Sequence, residues 1–221
     1  MVMPFTRRIV SPHSSFAMRL RNPWVDKPLA IVAVAPFAYG LYSSRAYFSF
    51  AIPYLCYFFT TLVLVGTMLW RKAPVRVTSN PWYWLLTLVA TYWAFLPLIF
   101  QNDGRALVSP GWYDAISLLG CAINVWGRFS LGRSIGFVPS QRDIVVRGAY
   151  RFMRHPIYTG VSITGIGYAL AYYSPRNALF VFFLIFWFAV KSLAEESFLR
   201  QDPAYAAYMA QVRWRWFPGL A

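Results

Sequence analysis

Acidic residues are scarce in this chain: Asp and Glu number 7 among 221 residues, against 21 Lys and Arg, and only 13% of positions are charged. A globular protein with so little charge could not wet its surface, whereas a protein embedded in a bilayer needs little. Cysteine and histidine are also rare, two of each. Cys56 and Cys121 sit far apart inside apolar stretches without Cys-x-x-Cys spacing, which excludes a disulfide scaffold and reads them as small buried apolar residues. His13 and His155 belong to no cluster of carboxylates or thiols at ligand spacing, so no metal site is expected. There is no repeat, no low-complexity tract and no compact cleavable signal at the N-terminus. Disorder, collagen and coiled coil are excluded by composition.

What fills the chain instead is apolar: 58% of residues are hydrophobic and 20% aromatic. Six stretches, at 28–44, 46–70, 82–100, 111–127, 157–173 and 176–194, have the length that crosses a hydrocarbon core of about 30 Å, the first, fourth and fifth being short. With loops taken alternately, 18 of the 21 Lys and Arg fall on one side and only Arg45, Arg105 and Arg176 on the other. Positive charge stays in the cytoplasm, so an even span count with both termini cytoplasmic follows. The same sorting accounts for the formal charge of +14, and no nucleic-acid partner is expected. The expected fold class is an all-α, multi-pass integral membrane protein of about six transmembrane helices, the last two close enough for a tight hairpin, plus a C-terminal interfacial helix. Residues 1–27 read as a cytoplasmic lead-in, 28–110 as scaffold helices and 111–221 as the region holding the site.

Helix starts locate that site. Asn80-Pro81, Ser109-Pro110, Ser174-Pro175 and Asp202-Pro203 each pair a good N-cap side chain with a proline at the first helical position, so those ends satisfy themselves. His155-Pro156 is the exception. Imidazole is a poorer cap, which leaves the amides of that helix start more available to an outside anion. Arg147, Arg151 and Arg154 precede it. They read either as topogenic charge or, with Arg154-His155-Pro156-x-Tyr158-x-Gly160, as one compact ligand-facing surface. Gly160, Thr164 and Gly167 continue as a small-residue face that lets another helix approach closely.

Glu195 and Glu196 lie at the end of a hydrophobic helix, an unfavourable place for carboxylates unless the helix continues or a cation is near. Lys191 can partner Glu195 one turn away, while Glu196 points about 100° round the helix, toward a cationic ligand or an arginine of the 128–154 segment. Tyr205, Tyr208 and Val212 share one face of a short helix capped by Asp202, which is expected to lie at the membrane interface and close over the loop.

The runs Leu131-Gly132-Arg133-Ser134, Val145-Val146-Arg147-Gly148-Ala149-Tyr150-Arg151-Phe152-Met153-Arg154-His155-Pro156-Ile157-Tyr158-Thr159-Gly160 and Glu195-Glu196-x2-Leu199-x5-Tyr205-x2-Tyr208-x3-Val212, with Pro218, resemble the isoprenylcysteine carboxyl methyltransferase family. More loosely, they are similar to the membrane phospholipid N-methyltransferases. The resemblance covers about residues 120–218. It implies a cytoplasm-facing pocket for S-adenosylmethionine, with Tyr150, Arg154, His155, Pro156, Tyr158 and Gly160 on one side and Glu195, Glu196, Tyr205 and Tyr208 on the other. Gly148-Ala149-Tyr150 departs from the commoner Gly-Pro-Tyr of that family.

Methyl transfer needs alignment of the acceptor and exclusion of water rather than a nucleophilic side chain. Arg128 and Arg133 are the candidates for holding a carboxylate acceptor, though both also read as flank charge. Asn124, a polar outlier one turn before Arg128, either bonds to a neighbouring helix or faces the acceptor channel. The expected partners are membrane lipids and a lipid-like or isoprenoid acceptor whose methylated group is a carboxylate, amine or thiol. Two other readings stay open: a related membrane reductase or isomerase using NADPH, and a non-catalytic membrane protein.

Overall fold

The computed structural model describes residues 2–3, 22–43, 50–94, 96 and 104–219. Most of the lead-in, including His13 and four of its arginines, together with Arg45 and the later part of the third apolar stretch, lies outside the described residues. Each of the six apolar stretches contains a helix. These are α1 (Pro23–Ser43), α2 (Ile52–Trp70), α3 (Pro81–Trp93), α4 (Pro110–Leu131), α5 (Pro156–Ala171) and α6 (Pro175–Leu199), followed by the short α7 (Pro203–Gln211).

Six full spans are not what the described residues give. Three helical segments are long and apolar enough to cross a membrane: Ile52–Trp70, Pro110–Ser134 and Pro175–Leu199. α1 contains Pro28 and Pro36 and carries Asp26 in its first turn. α5 has 16 residues, about 24 Å at the usual rise and short of the hydrocarbon core. Its faces are mostly covered by protein rather than left open to lipid, since Thr159, Gly160, Ser162, Thr164, Gly165, Gly167 and Tyr168 are all buried. The turn 172–174 joins α5 to α6 as a tight hairpin, steadied by a bridge between Tyr173 and Arg105.

Three of the four proline starts are capped as their sequences predict: Asn80 accepts from Trp82 N, Ser174 from Asn177 N and Asp202 from Ala204 N. Ser109 makes no such bond. His155 does not cap either, because its imidazole is engaged elsewhere.

The closest helix crossing is that of α4 on α5. A Cβ on Gly160 would run into the backbone of Asn124, and one on Gly120 into Thr164. The small-residue stripe of α5 is therefore where α4 seats, and the crossing fixes Asn124 and the start of α5 against each other. α2 packs across both and contributes Tyr54, Tyr57, Leu64 and Met68 to a cluster with Val34 and Phe37 of α1. The same α2–α4 contact brings Cys56 and Cys121, far apart in sequence, near each other, and both are free thiols.

The segment after α4 turns back over the helix ends. Ile135 and Phe137 plug into the α1–α2 cluster. Two antiparallel ribbons hold the rest: β1 (Val2–Met3) pairs with β4 (Ile144–Val145), and β2 (Arg76–Val77) pairs with β3 (Ser140–Gln141) in the register Arg76↔Gln141. α7 closes over this loop through Tyr205, Tyr208 and Val212, packed on Ile144, Val146 and Leu199.

Candidate active site

Beneath this loop lies a cavity of about 220 Å³. Asn124, Arg128, Tyr150, Arg154, His155, Tyr158, Glu195, Tyr205 and Tyr208 all line it. Pro156, Gly160, Glu196 and Arg133 do not. Gly160 is consumed by the α4 crossing and Pro156 packs behind the wall near Gly127. Residues from the N-terminal half also line it, among them Phe37, Tyr57, Leu64, Met68 and Thr91. The scaffold half thus builds part of the wall, which its lack of motifs gave no means of reading.

Glu196 is 3% exposed and bonded on every side. Its Oε1 accepts from Arg154 Nε at 2.7 Å and faces His155 Nε2 at 3.0 Å, and its Oε2 accepts from Arg215 Nε at 3.1 Å and Nη2 at 2.9 Å. Such a carboxylate has no capacity left for a ligand. Of the two partners expected for Glu196, a cationic ligand or an arginine of the 128–154 segment, the structure gives the second, Arg154, and adds Arg215. The same knot stitches the C-terminal segment down. Arg154 N and His155 N donate to the carbonyls of Trp214 and Arg215, both at 2.9 Å. Arg154 Nη1 reaches the carbonyls of Val212 and Arg213, and Thr159 Oγ1 that of Trp216. The amides of the two residues that lead into α5 are therefore taken by the chain's own carbonyls.

Glu195, its neighbour, behaves differently. Tyr158 OH donates to Oε1 at 2.6 Å, Lys191 Nζ stands 3.9 Å from the same oxygen, and His155 Nδ1 stands 3.9 Å from Oε2. Only one of these contacts is a hydrogen bond, so the carboxylate keeps accepting capacity toward the cavity it lines. Tyr158 is stacked between His155 at 5.3 Å and Phe188 at 4.7 Å, which fixes the phenol that orients Glu195. Lys191, buried on the same helix, donates to Thr91 Oγ1 at 3.3 Å and sits over the Tyr158 ring. The 191/195 spacing made it legible as an ion-pair partner; its place on the cavity wall was not.

On the opposite wall Arg128 is 6% exposed. Its Nε donates to Asn124 Oδ1 at 2.9 Å, and Asn124 Nδ2 in turn donates to the Ile157 carbonyl at 3.2 Å. Both branches of the Asn124 expectation are thus present, a bond to the neighbouring helix and a place on the cavity. The two terminal nitrogens of Arg128 have no partner among the described residues, which leaves the fork that suits a carboxylate or phosphate free. Arg133, expected beside it, is exposed, donates through Nε to the Trp70 carbonyl at 3.3 Å and faces an adjoining groove. The physical reason is the break at Gly132, with φ of +54°, which ends α4 and turns Arg133 away from the face that carries Arg128.

Sequence reasoning also passed over Arg142, which read as one more flank charge. It lies buried on the cavity wall, donates through Nε to the Lys72 carbonyl at 3.0 Å and through Nη1 to Ser140 Oγ. Burial, with Arg71 nearby, pushes its guanidinium down to about 10, with Asp26 opposing. Asp26 and Arg71 themselves form a buried pair at 2.6 Å that joins α1 to the end of α2.

Tyr150 is held from both sides. Tyr208 OH donates to its carbonyl at 2.9 Å, and Ala149 N donates to Ser130 Oγ at 3.1 Å. A proline at 149 could not make that second bond, so the departure from Gly-Pro-Tyr adds an anchor rather than removing one. Gly148 has φ of +59° and lies so close to Ser130 that a side chain would clash. Burial raises the phenols of Tyr150, Tyr205 and Tyr208 above the ordinary tyrosine range, with Tyr208 and Glu195 adding to the effect at Tyr150.

With a half-buried carboxylate on its wall, a half-free guanidinium and phenol rings beside it, the cavity suits a ligand that carries a cation and an anion. Among the described residues no group of three or more His, Cys, Asp or Glu is placed to hold a metal ion. The family model of phospholipid methyltransferases matches residues 114–206, from the first turns of α4 into α7. No curated protein matches the chain. The matched stretch contains Asn124, Arg128, Tyr150, His155, Tyr158, Glu195 and Tyr205, and it indicates a methyltransferase domain. The family matched is the looser of the two likenesses read from the motifs.

Proposed function

We propose that the chain is an S-adenosylmethionine-dependent membrane methyltransferase acting on an amphiphilic acceptor that carries an anionic group. The observation that carries this reading is the presence of Glu195 and Arg128 on the wall of one cavity, both with bonding capacity left, inside the stretch that matches a methyltransferase family. The cofactor supplies an electrophilic methyl group on a sulfonium, together with an ammonium and a carboxylate to be held. Glu195, oriented by Tyr158, accepts the ammonium, and the rings of Tyr158, Tyr205 and Tyr208 face the positive charge. Arg128, oriented by Asn124, holds the anionic group of the acceptor; a carboxylate fits this fork better than an amine would.

The apolar part of the wall, Phe37, Leu64, Met68, Val161 and Phe188, takes the hydrocarbon portion of the acceptor and excludes water. This favours a prenyl- or acyl-bearing carboxylate, as in the isoprenylcysteine methyltransferases, over a phospholipid amine. α7 and the C-terminal segment roof the cavity on the cytoplasmic side. No residue need act as a nucleophile: the chain contributes position, charge and dryness.

Calorimetric titration of the detergent-purified protein with S-adenosylhomocysteine and, separately, NADPH tests the cofactor. Saturable heat with S-adenosylhomocysteine alone is the expected outcome. Saturable heat with NADPH alone would replace this reading by a reductase.

A further inference from the structure

Beside the cavity, at the same end of the bundle, a wider groove of about 680 Å³ opens between α2 and α4. Its floor is apolar, with Val63 and Gly66 on one side and Phe129 and Leu131 on the other. Trp70 at its edge, the last residue of α2, is 61% exposed. Aromatic rings of this kind at the end of an apolar helix mark the level of lipid headgroups.

The charged residues of the groove are Lys72, Arg128, Arg133, Arg147 and Asp143. Asp143 is paired with Lys72 at 2.8 Å. That leaves three guanidiniums with no carboxylate partner among the described residues. The guanidinium of Arg128 bonds only Asn124; that of Arg133 bonds only the Trp70 carbonyl and lies over the Trp70 ring; that of Arg147, an exposed residue, makes no bond among the described residues. Three unneutralised forks around an apolar slot at headgroup depth select a ligand with a tetrahedral anion on an apolar tail.

We propose that this groove is a binding site for one anionic phospholipid, its phosphate between Arg133 and Arg147 and an acyl chain along α2 and α4. Arg128 is shared with the reaction cavity, so the lipid lies directly alongside the chamber and seals its membrane side. The site stands on the groove's own charge and shape and does not depend on the reaction assigned above.

Native mass spectrometry of the detergent-purified full chain, titrated with phosphatidylglycerol or with phosphatidylcholine of the same acyl chains, tests it. The wild type is expected to retain one phosphatidylglycerol in preference to phosphatidylcholine. The double variant Arg133→Gln/Arg147→Gln should lose about thirtyfold in that preference, the combined effect usual for two basic side chains at an anionic lipid, and Arg133→Lys/Arg147→Lys should keep most of it. Equal retention of both lipids by the wild type, or unchanged preference in the double Gln variant, would overturn the proposal. Full displacement of the lipid by inorganic phosphate would also overturn it, by showing a phosphate site with no need of a tail. Where the double variant loses its thermal transition, Arg147→Gln alone, at a side chain with no bond among the described residues, decides the same question by a smaller loss.

Discussion

Glu195 and Glu196 are adjacent in sequence and differ in what they can still do. Glu196 faces the knot of Arg154, His155 and Arg215, and every lone pair it can offer is in use. Glu195 faces the cavity, where one phenol holds one of its oxygens. Arginine shows the same contrast: Arg154 is saturated by a carboxylate and two carbonyls, while Arg128 has its terminal nitrogens open. The saturated groups tie down the C-terminal segment, while Glu195 and Arg128 keep capacity toward the chamber they line. A buried polar group left partly unmatched is costly for stability, so its persistence points to a ligand.

The largest effect that would break this comparison is at the knot. Glu196→Ala leaves the nearly covered Arg154 and the partly exposed Arg215 without their carboxylate and should destabilise the protein by about 3 kcal/mol. Thermal unfolding in detergent measures this; a shift as small as that of an ordinary surface change would mean the knot is not what holds the C-terminal segment. Gly160→Val should follow, at about 1–3 kcal/mol, because the added carbons meet the Asn124 backbone and separate α4 from α5. The same melting experiment reads it.

Arg128→Met sharpens the contrast from the other side. Removing a buried, half-unpaired guanidinium should change stability by no more than about 1 kcal/mol while raising the acceptor KM by at least about tenfold. Equal KM values in radiolabelled methyl-transfer assays would remove Arg128 from acceptor binding. The smallest effect belongs to the tyrosines of the roof. Their folded pKa values lie above the ordinary value of about 10, so the folded state holds their protons more tightly than the unfolded state. Their contribution is complete below pH 10 and is lost as pH rises through the folded values. Protease sensitivity of the C-terminal segment should rise progressively as pH climbs above about 10, and a flat profile would place the phenols outside the roof's stability.

Much of this was legible in the sequence because the signals were local. Proline-started helices, six apolar stretches, the small-residue face of α5 and the polar stretch of 128–156 all come from spacing along one segment. The full-span count was not legible, because hydropathy cannot tell a helix wrapped by protein, as α5 is, from one facing lipid. Nor was the difference between Glu195 and Glu196, since Arg215 reaches Glu196 through a C-terminal segment whose return path no periodicity encodes. Arg133 was misplaced for a similar reason: it follows Arg128 by little more than one turn, but Gly132 ends the helix between them. Lys72, Arg71 and Arg142 meet only because β2 pairs with β3 across a gap of more than sixty residues.

The most direct measurement is Glu195→Gln examined by two readouts together, S-adenosylhomocysteine titration and thermal unfolding. The account expects affinity to fall at least about tenfold, since a neutral amide is a weaker partner for an ammonium than a carboxylate, while the melting midpoint stays close to the wild type. Unchanged affinity with a collapsed midpoint would contradict it, showing that Glu195 holds the fold as Glu196 does and that the cavity binds no such cation.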